Sequence, residues 1–299
     1  DLDVGTGTVT IAGRVYQTAV AQLASAAPID FGIVHVGDTL TDAVIALSNG
    51  AVNTGVNDVL AGTVSVTGSG FTGGGNLGAG LGAGQGAQFG VGLNTSTSGV
   101  FTGSAQFALL SRNAEMADLS LGAGPILLSG QVNNFASAGF SGGGLVQTGE
   151  NSYLLDLGNV TLGSAGTTAS LFALNDATGL ADLLAGSFLL GAGTTGGLDF
   201  AYTGFDAFSG LGAGATTGAL GISFGNTGAL GTYDDLITLS GIGSNASGFS
   251  AAVSDVTLQV RVNVVQGGGT VPLPSSVLLL VAGLLPMIGA MRAKARRLH

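Results

Sequence analysis

The chain contains one pattern of residues twice, and this repetition constrains the fold more than any other feature. Residues 30–37 read DFGIVHVG, and residues 156–163 read DLGNVTLG. Residues 58–63 (DVLAGT) return at 182–187 (DLLAGS), and Asn49 and Asn113 return as Asn175 and Asn245. The order is kept while the spacing drifts by a few residues, as loop insertions would produce. We therefore predict two similar units, residues 16–132 and 133–264.

A third, partial copy lies at the start of the chain. Residues 9–15 (VTIAGRV) are similar to residues 126–132 (ILLSGQV), which close the first unit. We interpret residues 1–15 as the last strand of a preceding repeat. After the second unit, residues 265–270 (VQGGGT) form a Gly-rich linker to a tail at 271–299.

Short apolar segments separated by Gly, Asn, Ser and Asp predict an all-β fold, because no long amphipathic helical pattern interrupts them. A unit of about 120 residues suits one immunoglobulin-like β-sandwich, so we expect tandem sandwiches. Short helical turns are expected around residues 57–60 and 181–184, and the Gly-rich tracts 73–86 and 211–218 are expected to be surface loops or flexible strand edges. The strands predicted in the first unit are Thr39–Leu47, Thr63–Val66, Gln88–Leu93, Ser104–Leu110 and Ile126–Val132.

The first unit resembles the choice-of-anchor D repeats, which belong with the ASH-type immunoglobulin-like domains. The resemblance rests on FGIVHVG at 31–37, LSN at 47–49 and LSGQV at 128–132. The second unit departs from the pattern, since Leu157 replaces Phe, Leu162 replaces Val, and residues 260–262 read VRV instead of the LSG closure. The resemblance implies a β-sandwich array on an exported protein, and it implies no activity.

The C-terminal tail combines a proline motif, an apolar run and a basic end. Residues 277–291 carry no charge. As a helix they would span about 22 Å, which is short of the ~30 Å hydrocarbon core. The fold prediction therefore ends on a short C-terminal transmembrane helix, whose basic end stays cytoplasmic while residues 1–270 are exported. The motif residues are Val271, Pro272, Leu273 and Pro274, and the topology residues are Arg292, Lys294, Arg296 and Arg297.

This order resembles the PEP-CTERM sorting tail of Gram-negative bacteria in its VPLPA-type variant, with Ser275 where that variant usually has Ala. The resemblance implies recognition by an exosortase-type sorting enzyme and removal of the tail near the proline motif. The protein would be tethered to the inner membrane before processing and would then reach the cell surface or medium. A plain, permanent membrane anchor is the alternative.

Composition excludes several classes of site. The formal charge of −10 argues against a nucleic-acid partner. There is no Cys, and the two His residues are His35 and the terminal His299, so a poly-His or thiolate metal centre is excluded. His35 alternates with Val34 and Val36, which predicts a solvent-facing strand position rather than a catalytic one. Asp234 and Asp235 are adjacent, so they would point to opposite faces of a strand and would not form a glycosidase pair.

No resident cofactor is predicted, and calcium is the one metal for which the acidic chain offers candidates, because carboxylate oxygens suit it. The candidates are Asp30, Asp38, Asp234 and Asp235, with Asp42 and Asp156 as further acids. The favoured function is that of an exported non-enzymatic repeat protein, a structural or adhesive component of the bacterial surface or extracellular matrix. The alternative is a polysaccharide-binding surface module that uses calcium, and a third is the accessory region of an enzyme. Partners are the sorting enzyme, the inner membrane before processing, and a polysaccharide or like subunits.

Overall fold

The computed structural model describes residues 2, 4–24, 27–191 and 199–267, which form two β-sandwiches in tandem. The expected all-β class is confirmed, because these residues contain strands and no helix. Among them, no helix is present that could cross a membrane. The predicted transmembrane helix and the rest of the tail lie outside the described residues.

The first sandwich is built from nine strands that are hydrogen-bonded in the order β1-β3-β6-β5-β4-β7-β9-β2, with β8 on β7. Its strands are β1 (Ala21–Leu23), β2 (Ile29–His35), β3 (Ala43–Asn49), β4 (Val59–Thr67), β5 (Phe71–Asn76), β6 (Gly86–Leu93), β7 (Gly99–Arg112), β8 (Leu119–Leu121) and β9 (Ile126–Asn133). β5 connects the two layers, because residues 71–73 pair with β6 and residues 74–76 pair with β4. Gly73 and Gly74 have φ of 125° and 89° at this switch, a backbone conformation that side chains disfavour. The Gly-rich tract 73–86, expected to be a surface loop or a flexible strand edge, therefore begins inside a strand.

The second sandwich has a four-stranded sheet, β10-β13-β17-β15, and a seven-stranded sheet, β11-β12-β20-β18-β14-β16 with β19 on β18. Its strands are β10 (Ala138–Ser141), β11 (Leu145–Gly149), β12 (Ser152–Thr161), β13 (Thr167–Asn175), β14 (Leu183–Leu190), β15 (Phe200–Thr203), β16 (Phe208–Leu211), β17 (Leu220–Phe224), β18 (Gly231–Ser244), β19 (Ser250–Ala252) and β20 (Val256–Val265). Both sandwiches contain one parallel pair, β2 with β9 and β12 with β20. The pairing pattern thus repeats along with the sequence.

The repeated D-x-G motif has a structural cause. In each parallel pair the register shifts just after the Asp, between Asp30 and Ile33 and between Asp156 and Asn159. The Asp Oδ1 accepts the amide two residues on, from Gly32 at 3.0 Å and Gly158 at 2.8 Å. Both glycines have positive φ, 68° and 76°, so the motif forms a β-bulge with one extra residue, after which pairing resumes in the shifted register.

Each sandwich encloses its own hydrophobic core. The first core runs from Ala19 to Val132, and the second from Ala136 to Val264; β9, the last strand of the first sandwich, ends at Asn133. The alternation that creates the cores is clearest in β20, where Val256, Leu258, Val260, Val262 and Val264 are buried and the residues between them are not. Burying each such side chain contributes about 1.5–3 kcal/mol.

The expectation of short helical turns was wrong. No helical turn forms at 57–60 or 181–184. Leu60 and Leu184 are instead fully buried in β4 and β14, because the residue after Asp58 and the residue after Asp182 each begin a strand. Described residues between 4 and 16 form no strand, and Val9, Ile11 and Val15 are 84–91% exposed. The assignment of residues 1–15 to a preceding repeat stays a prediction.

Candidate functional site

Polar and aromatic side chains meet where the first sandwich contacts the second. From the first sandwich come His35 and Asn133, the last residues of β2 and β9, which are paired with each other in the parallel register. Phe135 follows Asn133 by two residues in the chain. Asp182 stands just before β14, and Asn245 and Phe249 lie in the turn between β18 and β19. We call these residues the junction: His35, Asn133, Phe135, Asp182, Asn245 and Phe249.

The Asp182 carboxylate is the centre of the junction. Its Oδ2 lies 2.7 Å from His35 Nε2, and its Oδ1 accepts hydrogen bonds from the side-chain amides of Asn133 (2.8 Å) and Asn245 (2.9 Å). Because a carboxylate can only accept, His35 Nε2 carries the proton in this contact. Asp182 and His35 are only 1% and 5% exposed. The junction thus buries a carboxylate whose donors come from both sandwiches.

The electrostatics of Asp182 reflect these donors. Burial by itself would raise the pKa of the Asp182 carboxyl, but the hydrogen bonds from Asn133, Asn245 and His35 outweigh burial and hold the pKa below its ordinary value. Asp182 is therefore ionised at neutral pH. His35 also contacts a second carboxylate. Its backbone amide donates to Asp38 Oδ2 at 2.7 Å, and the same oxygen lies 3.8 Å from the ring Nδ1 of His35.

Aromatic rings cover the His35–Asp182 contact. Phe135 stacks on the imidazole with ring centroids 4.1 Å apart and an interplanar angle of 11°. Phe249 packs on the same ring at 4.3 Å and 56°, and lies 5.8 Å from Phe135. These rings keep water from the contact, which strengthens its hydrogen bonds.

The chain segment between the sandwiches is also tied down. The backbone amide of Asn134 donates to Leu180 O at 2.8 Å, and its carbonyl accepts from the Asp182 amide at 3.0 Å. The Asn134 side-chain amide bridges the two sandwiches, because it donates to Ser98 Oγ (3.2 Å) in the first and to Thr178 O (2.7 Å) in the second. The linker is therefore held in one path by main-chain and side-chain bonds.

The equivalent end of the first sandwich repeats the carboxylate but not its partner. Asp58 corresponds to Asp182 and is 3% exposed. Its Oδ1 accepts from Asn113 (2.8 Å), as Asp182 accepts from Asn245, but its Oδ2 accepts from Ser111 Oγ (2.7 Å) of the same sandwich. A local hydroxyl thus occupies the position that His35 takes at the junction. The two carboxylates provide a matched comparison between a contact within one sandwich and a contact across two.

The repeated asparagines stabilise these ends. Asn175 Nδ2 donates to the carbonyls of Asp182 (3.0 Å) and Leu211 (2.9 Å), and its Oδ1 accepts from the amides of Ser137 and Ala177. Asn49 makes the same set of bonds to Asp58, Leu81, Val20 and Ala51. Both asparagines are 0% exposed, so each fixes the backbone that presents an Asp side chain.

The expectation for His35 was wrong. Alternation along β2 describes the two faces of a sheet, but His35 is the last residue of the strand, and the second sandwich covers that end. Asp182, Asn133 and Phe135 were not predicted as site residues. The sequence did contain one signal: the buried aspartate is repeated as Asp58 and Asp182, whereas His35 is not repeated, because Thr161 occupies its position in the second unit.

The calcium candidates do not converge. Among the described residues, no three His, Asp or Glu side chains are placed to hold a metal ion. Asp30 accepts from Gly32 and Ser129, and Asp38 from His35. Asp234 pairs with Arg261 at 2.8 Å outside the core, whereas the 7% exposed Asp235 accepts from the Tyr202 hydroxyl. The two adjacent acids therefore point to opposite faces, as predicted. Burial first, and then the Asp235 carboxylate, raises the pKa of Tyr202.

The predicted sorting residues are not part of this site. Residues 268–299 lie outside the described part of the chain. The residues concerned are Val271, Pro272, Leu273, Pro274, Arg292, Lys294, Arg296 and Arg297.

Neither a protein-family model nor a curated protein matches the chain. Among solved structures, it is similar to protocadherin gammaB7 EC3-6, at 13% identity and a TM-score of 0.38, over 83% of this chain and 51% of that one. It is also similar to the Yersinia pseudotuberculosis adhesin InvE, at 15% identity and a TM-score of 0.25, over 81% and 60%. CfaE, the adhesive subunit of the CFA/I fimbria of enterotoxigenic Escherichia coli, matches at 9% identity and a TM-score of 0.33, over 78% and 82%. This chain spans about half of the protocadherin, and similarity at this level does not indicate a shared function.

Proposed function

We propose that the protein is an exported, non-enzymatic surface or matrix component, in which immunoglobulin-like sandwiches hold a fixed relative orientation and act as a structural or adhesive spacer. The observation that carries the proposal is the buried His35–Asp182 contact between the sandwiches. A flexible tether would not require a desolvated carboxylate with donors from both sides, since burying such a group is costly unless its partners stay in place. A fixed junction suits a protein that projects its chain away from a surface.

The surface chemistry supports the same proposal. Residues 1–270 carry three basic and all 17 acidic residues, a formal charge of 3 − 17 = −14. Net charge of this size keeps a chain soluble and limits self-association. The similarity to choice-of-anchor D repeats and to a PEP-CTERM tail, both expectations from sequence, would place the sandwiches outside the inner membrane after an exosortase acts near Val271–Pro274.

Localisation and adhesion in the source bacterium test this proposal. Peptide mass mapping of the native protein from envelope and medium fractions should show loss of everything after the 271–276 region. A deletion strain should adhere less, and the full-length gene should restore adhesion. Recovery of an intact Arg297–His299 end confined to the inner membrane, with adhesion unchanged in the deletion strain, would overturn the proposal.

A further inference from the structure

A cleft of about 360 Å³ opens on the second sandwich beside the junction. Phe135 and Phe249 line it, as do Glu150 and Asn151 in the turn between β11 and β12. Its volume falls in the range of small-ligand sites, which often lie where two domains meet.

Phe135 provides a fixed aromatic surface. One face of its ring is covered by His35, yet the residue is 51% exposed. The stack on the buried imidazole holds the ring in place without burying it. Exposing a large ring costs free energy that a ligand would recover, and a preorganised ring pays little entropy on binding.

The two polar residues of the cleft, Glu150 and Asn151, are held in place by hydrogen bonds to their backbone carbonyls. The Asn151 carbonyl accepts from the Thr257 amide at 2.9 Å, and the Glu150 carbonyl accepts from Gln147 Nε2 at 3.1 Å. The Glu150 carboxylate and the Asn151 side-chain amide make no hydrogen bond to another described residue, so both are available to a ligand. Together they offer two kinds of acceptor and one donor in the same cleft as the ring.

We propose that this cleft binds an uncharged saccharide, with one sugar ring stacked on Phe135 and its hydroxyls bonded to Glu150 and Asn151. A pyranose has an apolar C–H face and a hydroxyl-bearing edge, which matches an aromatic ring beside an acceptor and an amide. Acidic glycans are disfavoured, because Glu150 lies in the cleft and residues 1–270 carry a formal charge of −14 (3 − 17). The inference rests on the proposed adhesive function and names the ligand class for it, without the calcium that the sequence suggested.

The test titrates the full chain in detergent with cellotetraose, chitotetraose, mannotetraose and the acidic alginate tetrasaccharide, monitored by calorimetry. We expect saturable binding of at least one neutral sugar and none of alginate. Phe135→Ala should weaken that binding by about tenfold or more, the loss typical of a truncated aromatic anchor. Glu150→Gln and Asn151→Ala should each weaken it several-fold.

Phe135 also packs in the junction, so its replacement could weaken binding by loosening the junction. Glu150→Gln and Asn151→Ala change residues that do not contact His35, and they keep the test independent of junction stability. Leu127→Ala is the matched control, because Leu127 is 59% exposed on β9 of the first sandwich, outside the cleft. No binding of any neutral sugar, binding of alginate alone, or equal affinity in wild type and all cleft variants would overturn the saccharide site. Adhesion of the source bacterium would still report on the proposed function separately.

Discussion

At the scale of single residues, the comparison of Asp182 with Asp58 isolates what the junction adds. Both carboxylates are buried and both accept from an asparagine, but only Asp182 accepts from another sandwich. Replacing either one removes a similar set of local bonds. The difference between the two replacements therefore measures the contact between the sandwiches.

Asp182→Asn should release the junction before the cores unfold. The amide cannot accept on both sides as a carboxylate does, so buried donors of His35, Asn133 or Asn245 lose a partner, at a cost of about 1–3 kcal/mol. Hydrogen exchange should rise at residues 133–135 and 178–182 while the β20 amides stay protected. Asp58→Asn is the control and should destabilise the first sandwich without faster exchange at 133–135; equal exchange in both variants would contradict the account.

Acid should loosen the junction through the same residue. The pKa of folded Asp182 is below its ordinary value of 3.8. The stability that this carboxylate contributes is therefore fully present above pH ~4 and is lost as pH falls through the lower folded pKa. Exchange at 178–182 measured between pH 5 and pH 2, corrected for intrinsic rates, should show a step below pH ~4 that Asp182→Asn lacks. A step of equal size in that variant would assign the transition to other groups.

Two substitutions of His35 distinguish its hydrogen bond to Asp182 from its stacking on the aromatic rings. His35→Phe keeps a ring between Phe135 and Phe249 but removes the donor to Asp182, and should cost about 1–3 kcal/mol of junction stability. His35→Ala removes both and should cost more. Thr161→Ala, at the exposed equivalent position of the second sandwich, should change little. Thermal unfolding of the three variants gives the ranking, and a neutral His35→Phe would mean that packing alone holds the junction.

At the scale of elements, β3 and β13 each end in a buried asparagine that fixes the segment before the next long strand. Asn175→Ala removes four hydrogen bonds and should lower the free energy of unfolding by roughly 2–4 kcal/mol, since several buried groups lose partners. Because Asn175 holds the Asp182 carbonyl, exchange at 133–135 should also rise. Asn49→Ala should cost a similar amount without that rise. Denaturant unfolding and hydrogen exchange together distinguish these outcomes, and a silent Asn175→Ala would contradict the role given to it.

Element patterns also show what the sequence could predict. Apolar alternation and the repeated Asn49 and Asn175 indicated strands, because these features depend on local spacing. The junction depended instead on which strand ends the second sandwich covers, and alternation along β2 contains no information about that. The helical turns predicted at 57–60 and 181–184 failed for a similar reason, since the burial of Leu60 and Leu184 comes from the facing sheet.

At the scale of the whole molecule, the His35–Asp182 contact and the hydrogen bonds of Asn134 hold the two sandwiches in a fixed relative orientation. Conformational freedom at such a linker would otherwise be expected. A rigid pair transmits the direction of one sandwich to the next, which is what a spacer or adhesive array requires.

The distance between the two sandwiches tests this claim most directly. The chain has no cysteine, so Thr102→Cys and Ser240→Cys, exposed positions in β7 and β18, can carry spin labels without a background signal. Pulsed electron–electron double resonance on the full chain should give a single narrow distance distribution, which broadens in Asp182→Asn and stays narrow in Asp58→Asn. A broad distribution in the unaltered junction, or one equally narrow in Asp182→Asn, would contradict a junction held by this carboxylate.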